Sequence, residues 1–441
     1  MSTLIEQPRY SCALGAQQTV VAIKRAVPIL HSGPGCSIKI SDLIGQGEGY
    51  AGGSTIPCTN SGESEIVYGG EDRLRSVIDG AFQVIDADLY VVLTGCTSDI
   101  VGDDVGQIAA DYQEAGRPIV YAETGGFKSS NYVSHEVVVN AIIDQYVHVW
   151  NQGGHVQKGL VNVFATVPYQ DPYWNGNLEE IKRLLIGLGL NVNILFGQHA
   201  GGVEEWKTIP DAEFNIVINA WIGKGIAENL KEKYGTPYTH FPYLPIGGIE
   251  TTSFLKQVVD FADFDEIQKK AAFAFIAEEE AVFYSHIERT ADFMLEFRYG
   301  IPRRFYSLLD ATYALGFSKF LLNELGIIPE HQYIIDNTPE EFREEITNRF
   351  SSISEFRSAK ITFENDAGKA SEEISRDSGT NRALILGSGW ERDLAQKIGA
   401  DLLIVSVPVS YRLILNCGYA GYRGGLRAIE DIFDRVLDTY R

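Results

Sequence analysis

The sequence predicts an α/β protein of three doubly wound, parallel-sheet units joined by connecting helices. Two observations carry this. At 441 residues the chain exceeds what one hydrophobic core of usual size can organise, so two to four compact units are expected. Along most of its length short apolar runs alternate with amphipathic stretches, which is the pattern of βαβ units whose crossover helices cover a parallel sheet.

The first Rossmann-like unit is expected over residues 1–155. Its strands are AVPILHS, DLYVVLTGC and RPIVYAE, separated by a helix RLRSVIDGAFQVI and a single polar-start helix SDIVGDDVGQIAADYQEA. The polar, glycine-rich run NQGGHVQKG at 151–159 marks the boundary. A second unit spans 156–265, with strands VNVFATV, VNILFG, FNIVINAW and YTHFPYLP and helices NLEEIKRLLIGLGL and AENLKEKYG. The third spans 266–441. A long charged helix, FDEIQKKAAFAFIAEEEAVFYSHIERTADFML, bridges into strands RRFYSLLD, RALILGSG and ADLLIVSVP and helices YALGFSKFLLNELG and GGLRAIEDIFDRVLDTY. The stretch SISEFRSAKITFENDAGKASEEISRDSG is too weakly patterned to assign, and no internal repeat or low-complexity run occurs.

Composition narrows the function. Hydrophobic residues make 45% and charged residues 22% of the chain, as in ordinary folded proteins. A net charge of −22 repels nucleic acid and anionic lipid, so neither partner is expected. No apolar stretch is long enough to span a bilayer, and MSTLIEQPRYS has neither part of a signal peptide, which points to the cytoplasm. Five cysteines, an odd number, do not read as a disulfide framework; they are buried apolar residues or ligands.

Three of them share a setting. Cys12 lies in YSCALGA, Cys36 in HSGPGCS after one strand, and Cys96 in TGCTSD after another. The carboxyl ends of strands are where open α/β sheets bind ligands, and the adjacent Gly33, Gly35 and Gly95 leave room for backbone to approach a large object. Thiolate sulfur is the usual ligand of iron-sulfur clusters. Taken singly, a cysteine beside a glycine is more often a small buried hydrophobe. No CxxC pair occurs, which argues against a self-contained zinc or ferredoxin-type site, and three spaced thiols form an incomplete set that another protein would finish.

The blocks YSCALGA, ILHSGPGCS, EIVYGGEDRL, VVLTGCTSDIVGDDV, PIGGIETTSFL and GYAGYRGGLRAIEDI resemble the component-1 family of nitrogenases and nitrogenase-like reductases. The cysteines, spaced 24 and 60 residues apart, and the IVGDDV after Cys96 follow the family in order. The resemblance implies that Cys12, Cys36 and Cys96 are one subunit's ligands to a P-cluster, an 8Fe-7S centre shared with a homologous α-type chain, with a 4Fe-4S cluster as the alternative. It also implies an α2β2 assembly served by a separate ATP-dependent iron protein. Catalytic α chains of the family hold their cofactor through a cysteine and a histidine; the matching places here are Asn219 or Ala220, and Ala420. Neither alanine can bind a metal, so the resemblance implies a β-type chain that relays electrons.

A serine that can ligate the oxidised cluster in molybdenum nitrogenase β chains is matched by Gly126, with Ser129 and Ser130 nearby. The long N-terminal extension of those chains is also missing. Both departures turn the expectation toward a nitrogenase-like member such as a methylthio-alkane reductase. The rivals are a nitrogenase β chain proper, a cofactor-assembly scaffold, a tetrapyrrole reductase component and, in another class, a cluster-free small-ligand binding protein.

Weaker signals read as structural. GSGWER opens like a dinucleotide fingerprint, but Arg392 stands where its third glycine belongs, so a plain strand-to-helix turn is expected. No P-loop occurs. His31 reads as a polar turn residue or a donor near the cluster, Asp103 and Asp104 as helix-capping acids, and Cys58 and Cys417 as structural thiols.

Overall fold

Strands buried on both faces must be apolar throughout, and LYVVLT (Leu89–Thr94) is buried at every position. In the computed structural model, which describes residues 5–9, 14–38, 56–377 and 382–438, this strand is the centre of the first of three sheets. That sheet runs β1-β2-β3, with β1 Ala26–His31, β2 Leu89–Thr94 and β3 Ile119–Ala122. Its register pairs Ala26 with Leu89 and His31 with Thr94, so both strands deliver their following turns at one level of one edge.

The second sheet has the order β5-β4-β6-β7, from β4 Gln157–Phe164, β5 Asn191–Asn193, β6 Ala212–Ile218 and β7 Tyr238–Phe241. The third has the order β10-β9-β8-β11-β12, from β8 Arg304–Leu309, β9 Ile328–Ile334, β10 Lys360–Phe363, β11 Leu384–Gly387 and β12 Asp401–Ile404. Every pairing in the three sheets is parallel. In the second and third sheets the order reverses direction beside β4 and β8, the doubly wound arrangement expected from the alternating pattern. One apolar cluster holds Leu93, Val163 and Leu386 together, so the three units share an interior.

Three local results differ from the sequence expectation. The single helix expected after β2 is two, Cys96–Val101 and Val105–Glu114, because Gly102 turns left-handed at φ 83° and Asp104 caps the second by accepting from Gln107 N at 2.9 Å. Strand β9 was hidden in the sequence by Pro329, Glu330 and His331, which interrupt its apolar text. The unassigned stretch supplies β10 and the helix Ala367–Asp377, whose buried face is Ala367, Ala370 and Ile374.

The GSGWER turn leads from β11 into a short 3-10 helix, Gly389–Glu391, where Ser388 and Glu391 form a reciprocal cap. Its buried partner is Arg9, which pairs with Glu391, bonds Ser388, donates to Val407 O at 3.1 Å and lies 4.5 Å over the Trp390 ring. The turn therefore anchors the N-terminal segment to the third unit. Among the described residues no helix is long and apolar enough to cross a membrane.

Candidate metal centre

The turns that follow β1 and β2 carry Cys36 and Cys96, and backbone geometry presses them together. Gly95 N–H donates to His31 O at 3.0 Å, and Ser98 Oγ donates to the same oxygen at 2.8 Å. A Cβ on Gly95 would stand 2.2 Å from Ser32 Oγ, so only glycine permits this approach. Cys96 then starts the helix Cys96–Val101, and Cys36 lies in a helical turn at 34–38. Both thiols are partly exposed.

Each sulfur has a donor directed at it. Gly126 N–H reaches Cys96 Sγ at 3.2 Å, and Ser32 Oγ lies 3.7 Å from Cys36 Sγ. Such bonds to ligand sulfur are one way a protein tunes an iron-sulfur centre. The two serines near Gly126 are committed elsewhere: Ser130 Oγ caps the helix Asn131–Ile142 through Val133 N, and Ser129 Oγ bonds Ser134 Oγ at 2.8 Å. Cys12 lies outside the described residues, so its expected convergence with the other two stays an expectation.

Cys58 packs against the same turn. Its sulfur donates to Ser32 O at 3.5 Å and Gly33 O at 3.8 Å and accepts from Asn60 N at 3.4 Å, in a bridge beside β1. These bonds suit a structural thiol.

His31 differs most from its expected role. Its ring is buried and both nitrogens are taken: Nε2 donates to Asp103 Oδ2 at 2.8 Å and Nδ1 meets Thr59 Oγ1 at 3.2 Å. Asp103 is accordingly no helix cap. It holds His31 and accepts from Gly70 N at 2.8 Å.

The rim of the site is apolar and exposed. The helices Glu63–Tyr68 and Cys96–Val101 pack together and present Ile66, Val67, Tyr68 and Ile100, while Phe127, next to Gly126, is 75% exposed. Large apolar side chains left exposed together on packed elements are a feature of interaction sites. Among the described residues, no three His, Cys, Asp or Glu side chains converge on one metal ion. A self-contained mononuclear site therefore does not fit them, whereas paired thiol turns at an apolar edge fit half of a larger cluster.

The carboxyl ends of β4, β6, β8 and β9 converge elsewhere, and that place is filled. Asn219 accepts from Trp221 N and Ile222 N and donates to Ala165 O, and Ala220 N donates to Thr312 Oγ1 at 3.0 Å. Buried Asp171 accepts from Tyr313 Oη at 2.7 Å and Asn177 Nδ2 at 2.8 Å; Asn177 Oδ1 in turn accepts from Ala420 N at 2.9 Å. Between Tyr132, Asp171, Asp310 and Asp336 a cavity of about 20 Å³ remains, room for roughly one water.

A family model described as nitrogenase component 1 type oxidoreductase matches residues 11–437. The chain belongs to this family. Relatives include the nitrogenase molybdenum-iron protein beta chain of Methanococcus maripaludis, 23% identical over 99% of this chain and 96% of that one. A light-independent protochlorophyllide reductase component from a Picosynechococcus species is 24% identical over 85% of this chain and 71% of its own length. A solved structure titled "Nitrogenase Cp1 at pH 6.5" superposes with a TM-score of 0.81, covering 100% of this chain and 95% of that one at 18% identity, which establishes the shared fold. As a family member the chain is a subunit of a nitrogenase-like oxidoreductase.

Proposed function

We propose that the chain is the β-type subunit of a nitrogenase-like reductase, in which Cys12, Cys36 and Cys96 supply one side of an iron-sulfur cluster shared with a homologous α-type subunit. The observation that carries this is the contrast between two places. The sheet edge bearing Cys36 and Cys96 is partly open, glycine-lined and rimmed by apolar side chains, while at the places where the resemblance puts a catalytic chain's cofactor ligands the cavity beside Asn219 leaves about 20 Å³ and the cleft of about 430 Å³ beside Ala420 meets a methyl group that cannot bind a metal. Similarity over 96% of a relative named as a beta chain supports the same assignment.

When bound, such a cluster takes up and passes on single electrons. The chain's own groups hold and shape it: Gly126 N–H and Ser32 Oγ direct protons toward the ligand sulfurs, and Gly95 lets the two turns meet. Ile66, Val67, Tyr68, Ile100 and Phe127 would close against the partner and exclude water. We read the cluster as P-cluster type, 8Fe-7S, with 4Fe-4S as the alternative, in a cytoplasmic α2β2 complex fed by an ATP-dependent iron protein. With Gly126 in place of the serine, the substrate reading is a non-nitrogen compound such as a methylthio-alkane. Similarity to a protochlorophyllide reductase component keeps a tetrapyrrole substrate as the second reading.

The test is anaerobic purification of the chain with and without the product of the neighbouring α-type gene, followed by iron and sulfide analysis. The complex should carry the cluster and bury an interface of about 2,000 Å² or more. The isolated chain should be iron-poor or aggregated. A monomer that retains full iron would overturn the shared-cluster assignment.

A further inference from the structure

We propose that His31 is the positioning residue of the cluster site, setting the separation of the Cys36 and Cys96 turns through its backbone while Asp103 and Thr59 lock its ring. The inference rests on the cluster reading above and concerns a residue that touches neither thiol.

His31 ends β1 in register with Thr94, at the level where both cysteine turns begin. Its carbonyl oxygen accepts two bonds from the Cys96 turn, Gly95 N–H on one side of the cysteine and Ser98 Oγ on the other. Its ring works on the other turn. Nδ1 meets Thr59 Oγ1, and that same oxygen accepts from Ser32 N at 3.0 Å and lies 3.1 Å from Ser32 O, fixing the residue whose hydroxyl faces Cys36. Nε2 is tied to Asp103, whose second oxygen takes Gly70 N–H, so the ring cannot swing. Side-chain exposure is 1% for His31 and 5% for Asp103, which keeps water from substituting for either bond.

Histidine suits this post because its two ring nitrogens face opposite ways. A glutamine could reach Asp103 and an asparagine could reach Thr59, but neither side chain spans both. A carboxylate only accepts, so Nε2 carries the hydrogen and Nδ1 is left to meet the threonine hydroxyl. This carboxylate–histidine pair orients ligand-bearing turns, as outer-shell partners do for metal-bound histidines, yet it acts one step further out.

The experiment compares wild type, His31→Leu, His31→Gln and Asp103→Asn as anaerobically purified complexes with the α-type partner. It measures iron and sulfide content, the midpoint potential and electron paramagnetic resonance line shape of the relay cluster, and iron loss to a chelator. His31→Leu should lose iron to the chelator about ten-fold faster, the lower end of what outer-shell changes cost, and should shift the potential of the cluster that remains. His31→Gln, which keeps the bond to Asp103, should recover most of the iron. Asp103→Asn is isosteric and guards against a misfolded His31→Leu; it should shift the potential with the fold intact. Wild-type chelator resistance and potential in both His31→Leu and Asp103→Asn would overturn the positioning role. An iron-free wild-type complex, or a Cys36→Ser complex with its cluster unchanged, would instead overturn the cluster reading beneath it.

Discussion

Gly95 shows how one missing methyl group decides the site. With Ser32 Oγ 2.2 Å from where its Cβ would lie, Gly95→Ala must separate the Cys36 and Cys96 turns. We expect a loss of about 1–3 kcal/mol, as for other overpacked positions, together with reduced iron. Thermal midpoint and iron content of the purified complex measure both. Asp310 makes a separate prediction at the filled centre. Burial, reinforced by Asp336, pushes its carboxyl up to about 7. Between about pH 4 and 7 the folded protein then keeps a proton that the unfolded chain has lost, so stability falls as pH rises through that window and levels off above it. Asp310→Asn still caps Ala311–Asn323 through Tyr313 N and removes the penalty. It should gain on the order of 3 kcal/mol at pH 8 and almost nothing at pH 4, read from paired denaturation midpoints. An equal gain at both values would contradict the assignment.

At the scale of elements, strands and caps carry the legible information. The apolar runs AVPILHS and DLYVVLTGC became β1 and β2, and the helix Glu266–Arg289 begins where Asp265 and Gln268 exchange bonds of 2.8 and 3.0 Å. Asp265→Ala should cost about 1 kcal/mol, visible as a lowered midpoint with unchanged iron content. The cysteine turns could be read because residue type and strand-end position travel together in the sequence. The His31–Asp103 bond could not, since it closes over 72 residues and neither residue has a local signature. The IVGDDV text leads to the same expected role for Asp103 and Asp104; in the structure Asp103 bonds His31, while Asp104 caps the helix Val105–Glu114. β9 escaped because its polar residues break the apolar period, a case where tertiary pairing between β8 and β10 outweighs local preference.

Over the whole molecule, the thiol-bearing sheet edge and the ends of β4, β6, β8 and β9 are furnished differently. The edge keeps thiols, a close-approach glycine and an apolar rim, whereas the space beside Asn219 is closed by Tyr132 and Tyr313, and Ala420, tied through its N–H to Asn177, lines a separate cleft of about 430 Å³. Ala420→Ser should therefore act through packing and leave substrate preference unchanged, a comparison of product ratios from the wild-type and variant complexes. We propose that the chain relays electrons through a cluster held by its cysteines. Metal-resolved spectroscopy on the Cys96→Ala complex tests it most directly. The relay signal and turnover should be lost while the partner's cofactor signal persists. A complex that keeps the relay signal and full activity would contradict the account.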